Sequence, residues 1–442
     1  MYSTRLAKIS IALFTALVFL GLGGNQVDAF GPLAEPGPYF VRALNITVPL
    51  RDDLVWGPVL GTYFGRNQIG SMRYNARIYY PAVDTQLEND QYSIYYPPDL
   101  SGAPYPAVVF FQGANVSIEQ YTWLFEHLTS HGYIVLACTE YMASLNYLEG
   151  QFSNLFPLAV LVGASTWLTH MMVPDVITYF ENTNISAHDP LPLTNEVGAP
   201  PGPGDTLDVV RNNIVEMLCP DETTSCENDD DCMGIGNEQC NPYPTETSIF
   251  EGMIDTEKII IGGHSMGGFL ALMCANDNIT NPPRPEGGSF TQNVKGVFVY
   301  GAHTFRSSGE GFMTPVNVPL LMLGGEKDGV AAGAIPGNPD VTGWERIEYT
   351  FDNYVNSSSN NSRYLMGVKA ANHLSFGTKP DPMVDRSFID QKDGIISSFI
   401  AHRIFKEKIT AFLKYYINGE SSVLPILTGS GSEPFIYDYK VK

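Results

Sequence analysis

Basic residues are scarce in this sequence. Lys and Arg number 25 against 47 Asp and Glu in 442 residues, which gives a formal charge of −22 at pH 7. Contacts to phosphate backbones are made by Lys and Arg, so this balance rules out a general nucleic-acid binder. It also argues against docking on anionic membranes, which needs clustered basic residues. Charged residues of both signs make up only 16 % of the chain and apolar ones 44 %, too few charges for a disordered protein. Beyond residue 29 no apolar run approaches the roughly 20 residues that span a bilayer. No internal repeat is visible. Gly (42) and Pro (31) are plentiful instead, so long connections between elements are expected.

The first residues carry a compartment signal. Arg5 and Lys8 precede an apolar run from Ile9 to Leu22, and Val27-Asp28-Ala29 supplies small residues for cleavage. That order reads as a secretory signal peptide over residues 1–29, with retention as a membrane anchor the rival. Residues 30–442 are then expected to form a soluble, secreted domain without a stable membrane anchor. The junction Ala29-Phe30 also resembles the Ala-Phe motif at the leader cleavage site of plastid-targeted proteins in algae with secondary plastids. A plastid reached through the secretory route and the periplasm are therefore alternative destinations.

Four of the six cysteines (Cys219, Cys226, Cys232 and Cys240) fall within 22 residues of an acidic, Gly-, Asn- and Pro-rich stretch. Two local disulfides are expected there in an oxidising compartment. Zinc is the rival, but no paired C-x-x-C is present and no His lies nearby. Asp229-Asp230-Asp231 lacks EF-hand spacing, and neither a metal nor a cofactor is expected. Sequons start at Asn45, Asn115, Asn184, Asn278, Asn356 and Asn360, and would carry glycans only in a eukaryotic secretory route.

Short β-branched and aromatic runs alternate with helical patterns along the chain. Strands are predicted at 76–80, 107–111, 133–137, 258–262, 296–300, 319–323 and 364–368, and helices at 118–130, 158–180, 265–276 and 396–416. Such alternation implies an α/β fold with a mostly parallel central sheet covered by helices on both faces. Two strands ahead of the first helix suggest antiparallel additions at one edge. The stretch of about 184–247, which holds the cysteine cluster, reads as a disulfide-stapled insertion in one domain.

The sharpest chemical signal is Ile259-Ile260-Ile261-Gly262-Gly263-His264-Ser265-Met266-Gly267-Gly268. An apolar strand enters Gly-x-Ser-x-Gly and an amphipathic helix leaves it, which puts a serine hydroxyl on a tight exposed turn. Ser265 is therefore the candidate nucleophile. It needs a base, and the base needs an orienting carboxylate. Past the strand 319–323, Gly324-Gly325-Glu326-Lys327-Asp328 offers Asp328, with Glu326 the rival acid. Only His373 and His402 follow Asp328. His373 comes after a strand, where the base belongs, whereas His402 lies in a helical pattern and reads as a surface residue. His264 reads as a packing residue of the turn. The oxyanion requires two backbone donors. They are assigned to the N–H of Met266 and to that of Ala114 in Gln112-Gly113-Ala114-Asn115, with Gly113 the rival.

Gly263-His264-Ser265-Met266-Gly267-Gly268, Ser130-His131-Gly132-Tyr133-Ile134-Val135 and Gly325-Glu326-Lys327-Asp328 resemble the bacterial cutinase and polyester-hydrolase branch of the α/β-hydrolases. Chlorophyllases and the platelet-activating-factor acetylhydrolases are related to that branch. Pro36-Gly37-Pro38-Tyr39 and Ala76-Arg77-Ile78-Tyr79-Tyr80-Pro81 resemble its opening. The resemblance implies an α/β-hydrolase fold and a serine esterase that takes a small or lipid-like ester. Three features depart from the families' patterns. Met266 stands where chlorophyllases carry Arg. Ala114 and Gly301-Ala302-His303 stand where polyester hydrolases carry an aromatic residue and a Trp. The cysteine-rich insertion belongs to none of them. Phe305, Phe312 and Phe376 suggest an apolar substrate group, with core packing as their alternative role.

Overall fold

Tyr105–Phe111 (YPAVVFF) is buried along its whole length. A strand with no polar face fits only the middle of a sheet covered on both sides. The computed structural model describes residues 30–49, 73–83, 98–113, 116, 118–138, 193–194, 217–218, 225–226, 250, 252–274, 294–303, 316, 318–330, 333–335, 338–355, 362–378, 396–428 and 434–442. The predicted helix at 158–180, Ala114, Phe305, Phe312 and three of the four clustered cysteines lie outside them; Cys226 falls in a two-residue strand.

The ten strands of the main sheet are β1 (Phe40–Pro49), β2 (Arg73–Ala82), β3 (Tyr105–Phe111), β4 (Ile134–Cys138), β5 (Leu193–Thr194), β6 (Ile254–His264), β7 (Val294–Tyr300), β8 (Leu320–Gly325), β9 (Arg363–Val368) and β10 (Ile436–Val441). Their spatial order is β10-β9-β8-β7-β6-β3-β4-β2-β1-β5. The six from β9 to β4 run parallel, and antiparallel strands close both edges. Of the two strands expected as antiparallel edge additions, the one at 76–80 lies in antiparallel β2, whereas the one at 107–111 is β3, parallel to both neighbours in the middle of the sheet; β1, which pairs with β2, was not predicted. The piece Leu193–Thr194 of the expected insertion pairs with Ile46 and Asn45, so that stretch contributes to the sheet edge.

Successive residues of each central strand point to opposite faces and feed two apolar layers. Ile259 and Ile261 join one layer with Trp344, Ile347 and Phe351 of α3 (Gly343–Tyr354) and Phe269 and Leu272 of α2 (Met266–Cys274). Ile260 joins the other with Leu124, Phe125 and Leu128 of α1 (Thr122–Ser130) and Phe405 and Phe412 of α4 (Ser398–Tyr416). Each such side chain, fully buried, stabilises the fold by about 1.5–3 kcal/mol before entropy is counted. The predicted helix at 118–130 begins as a 3-10 turn, Ile118–Tyr121, and α3 and β10 were not predicted.

Candidate active site

The parallel strands deliver their C-terminal ends to one edge of the sheet, where α/β folds place their ligands. β3, β6, β7, β8 and β9 are consecutive neighbours there, so Gly113, Ser265, Gly301, Asp328 and His373 emerge side by side.

Ser265 stands between β6 and α2 with φ of +55°. An L-residue is strained in this left-handed region, because its Cβ crowds the backbone. The turn persists because its surroundings over-determine it. The Ser265 N–H donates to the Tyr300 carbonyl at 2.9 Å, and the Phe269 N–H donates back to the Ser265 carbonyl at 3.0 Å. A side chain on Gly267 would run into the carbonyls of Phe111 and Gln112, so glycine lets α2 start hard against the end of β3. Met266 is the first residue of α2, where the helix dipole presents its positive end.

Asp328 and His373 meet in a dry pocket. The His373 Nδ1–H donates to Asp328 Oδ2 at 2.7 Å, and the two residues are 0 % and 3 % exposed. A carboxylate oxygen accepts, so the lone pair of neutral His373 is on Nε2. Asp328 is held by its own backbone: its N–H closes a turn onto the Gly325 carbonyl (3.1 Å), and its carbonyl takes the Gly343 N–H at the start of α3 (3.1 Å). Glu326, the rival acid, is used elsewhere. Its Oε2 accepts the N–H of Ala370 at 2.8 Å, in a turn where Ala370 has φ of +57°. Gly301, also at positive φ (+60°), packs beside the pair; a Cβ there would lie 2.8 Å from the His373 ring.

His373 opens a 3-10 turn, His373–Phe376, that is fastened at nearly every carbonyl. Tyr300 Oη donates to the Asn372 carbonyl (2.6 Å), and His264 Nε2 to that of His373 (3.2 Å). Trp123 Nε1 donates to Phe376 (3.1 Å), and His402 Nε2 to Gly377 (3.2 Å). His402 is therefore a correction to the reading of it as a surface residue. It is half-buried, with its ring stacked on Trp123 at 4.0 Å and 6°, and desolvation lowers its pKa to about 4. Of the two roles open to Phe376, the structure favours core packing. Phe376 is fully buried and stacks on Tyr300 at 4.8 Å, so it belongs to the core beneath the site.

His264 fits its expected packing role and adds polar contacts, which sequence gave no way to see. Its Nδ1 lies 2.8 Å from Tyr121 Oη, which in turn accepts the Gly113 N–H at 3.0 Å. Gly113, in the loop after β3, stands close to Ser265: a Cβ on it would lie 3.3 Å from the serine Cβ. Tyr121 lies within the helix predicted at 118–130, and nothing in its sequence neighbourhood marked it as a polar partner of this loop.

A strained serine on a strand–helix turn, beside a buried Asp–His pair on the same sheet edge, has the parts for nucleophilic acyl transfer. Residues 83–188 match the chlorophyllase family model. That family belongs to the α/β-hydrolases, so the resemblance drawn from the motifs holds over this segment, and the mixed α/β sheet is compatible with it. The match points to a hydrolase acting on esters. The matched segment contains β3, α1 and β4 with Gly113 and Ala114, and it ends ahead of Ser265, Asp328 and His373. No curated protein matches the chain.

Proposed function

We propose that this protein is a secreted serine hydrolase of carboxylic esters that works through an acyl-enzyme. The observation that carries the reading is the positive φ of Ser265, held on the sheet edge that also presents the buried Asp328–His373 pair. In the first half-reaction the Ser265 hydroxyl attacks the ester carbonyl while His373 Nε2 takes its proton. Asp328 keeps the proton of His373 on Nδ1 and stabilises the imidazolium that forms. The N–H groups of Met266 and Ala114 hold the oxyanion. Support for Ala114 over Gly113 comes from the Gly113 N–H, which is already donated to Tyr121. The tetrahedral adduct collapses, His373 returns its proton to the leaving alcohol, and the acyl group stays on Ser265. Water then attacks the acyl-enzyme with His373 as base, releasing the acid and regenerating the serine.

The substrate class we favour is an apolar or lipid-like ester, and the family match favours a chlorophyllase-like member of that class. Secretion behind a leader ending at Ala29, and an insertion stapled through Cys219, Cys226, Cys232 and Cys240, are part of the same proposal. A fluorophosphonate probe tests its centre: the folded protein labels at Ser265, and labelling disappears in Ser265→Ala. Absence of labelling in the folded wild type would instead indicate a non-catalytic binding protein on a hydrolase scaffold. A panel of p-nitrophenyl esters, polyester film and chlorophyll then ranks the substrates, with chlorophyll or long-chain esters expected above the polymer.

A further inference from the structure

The proposed mechanism asks two separate loops to be in register: the one after β3, which carries the oxyanion donor, and the one after β9, which carries the base. Ser265 lies between them in the sheet order. Three buried hydrogen bonds join these loops behind the serine. The Gly113 N–H donates to Tyr121 Oη (3.0 Å), Tyr121 Oη meets His264 Nδ1 (2.8 Å), and His264 Nε2 meets the His373 carbonyl (3.2 Å). Tyr121, His264 and His373 are 0 %, 2 % and 3 % exposed.

Proton accounting sets the direction of the chain. A carbonyl only accepts, so Nε2 of His264 carries a proton. An amide N–H only donates, so the Tyr121 oxygen accepts from Gly113 and has its own proton left for Nδ1. Every member is satisfied when His264 is the neutral Nε2–H tautomer. We infer that Tyr121 and His264 are positioning residues that lock the oxyanion loop and the base loop to each other, an inference that rests on the Ser265 reading of the site. Neither is assigned a proton-transfer or oxyanion-binding role. Tyr121 pins the residue directly before Ala114, and His264 pins the backbone of the base. His264 is adjacent to the nucleophile in sequence, and its ring stands 4.7 Å from that of His373. A shift of either loop is then transmitted to the other through rigid groups.

Loss of one preorganised oxyanion contact lowers kcat by about 100- to 1,000-fold in enzymes of this kind. Indirect loosening of the loop in Tyr121→Phe is therefore expected to lower kcat on a p-nitrophenyl ester by roughly ten- to a hundredfold, with KM within about twofold. His264→Gln, which still donates to the His373 carbonyl, is expected to lose less. Because both variants break one chain, the double variant is expected to be no worse than Tyr121→Phe alone. Wild-type kcat in Tyr121→Phe, or multiplicative losses in the double variant, would overturn the inference. Nitrogen NMR of the histidine rings in the wild-type protein requires no variant to fold. A neutral Nε2–H tautomer for His264 supports the chain, and an Nδ1–H tautomer sinks it. Failure of fluorophosphonate to label the wild type would defeat the hydrolase reading alone, since the tautomer measurement stands apart from activity.

Discussion

Ser265 and Asp328 show how single residues are committed by their surroundings. The left-handed backbone at Ser265 costs about 1–2 kcal/mol for a residue with a Cβ, and glycine escapes that cost. Ser265→Gly is accordingly expected to be more stable than Ser265→Ala by about 1 kcal/mol in urea unfolding, with both inactive. Equal stability of the two variants would mean that the turn is unstrained. The two acids separate as cleanly. Asp328→Asn leaves the shape but removes the charge and can present an amide N–H where Oδ2 accepts the His373 proton, which favours the wrong tautomer, and kcat is expected to fall by about four orders of magnitude. Glu326→Gln weakens the turn at Ala370 and a pair with Lys327, so it is expected to cost stability of about 1 kcal/mol and to leave kcat within a few-fold. The reverse pattern would transfer the acid role to Glu326.

At the scale of elements, α4 and α1 clamp the turn that carries His373. His402 of α4 and Trp123 of α1 stack on each other and each donate to a carbonyl of the His373–Gly377 stretch. His127 of α1 is buried as well, its Nε2 2.9 Å from Thr410 Oγ1 of α4. Burial lowers the pKa of His402 to about 4 and that of His127 to about 2, desolvation being the largest cause in both. The folded protein thus binds fewer protons at these sites than the unfolded chain, whose histidines titrate near 6.5. Their contribution to stability is complete above pH 6.5 and is lost as pH falls through 6.5 toward 4 and below. The urea midpoint is expected to drop between pH 7 and pH 5, and His402→Phe, which keeps the stacking but cannot be protonated, is expected to flatten part of that slope. An unchanged slope in the variant would remove His402 from the account. A further element-scale test concerns α3, which starts with a reciprocal cap between Thr342 and Glu345. Thr342→Ala should cost about 1 kcal/mol.

For the whole molecule, the charge of −22 is spread over a chain with few cations to offset it. Like charges held in a compact volume repel, and salt screens them over about 10 Å at 0.1 M. The thermal midpoint is therefore expected to rise between 10 mM and 150 mM NaCl, and a fall would show that local ion pairs outweigh the net charge. Lys440 and Lys442 at the end of the chain are among the pairs that matter. Lys440 bridges Glu348 and Asp352, and Lys442 Nζ donates to the carbonyls of Phe351 and Asp352 in α3 and of Val355 just past its end. They fasten the edge strand β10 to the helix beside it.

The strand–turn–helix around Ser265 was legible because all of it is local: the apolar run, the glycines and the following helix are consecutive, and their spacing alone demands the turn. The placement of Ser265, Asp328 and His373 just past three strands was legible for a similar reason, since each follows a recognisable apolar run. β10 was not, because Tyr437, Tyr439 and Lys440 form a strand only by pairing with β9 across a long sequence separation. α3 does have local signals in its sequence, namely the Thr342–Glu345 cap and apolar residues at 344, 347 and 351. What the sequence by itself determined is the alternating α/β order, the strained serine and the set of candidate partners. Only the tertiary structure put Asp328, and not Glu326, 2.7 Å from His373, moved His402 from surface to clamp and joined Gly113, Tyr121, His264 and His373 in one buried chain. Those choices depend on distances between segments far apart in sequence, and a buried polar group takes whichever partner the packing brings within reach.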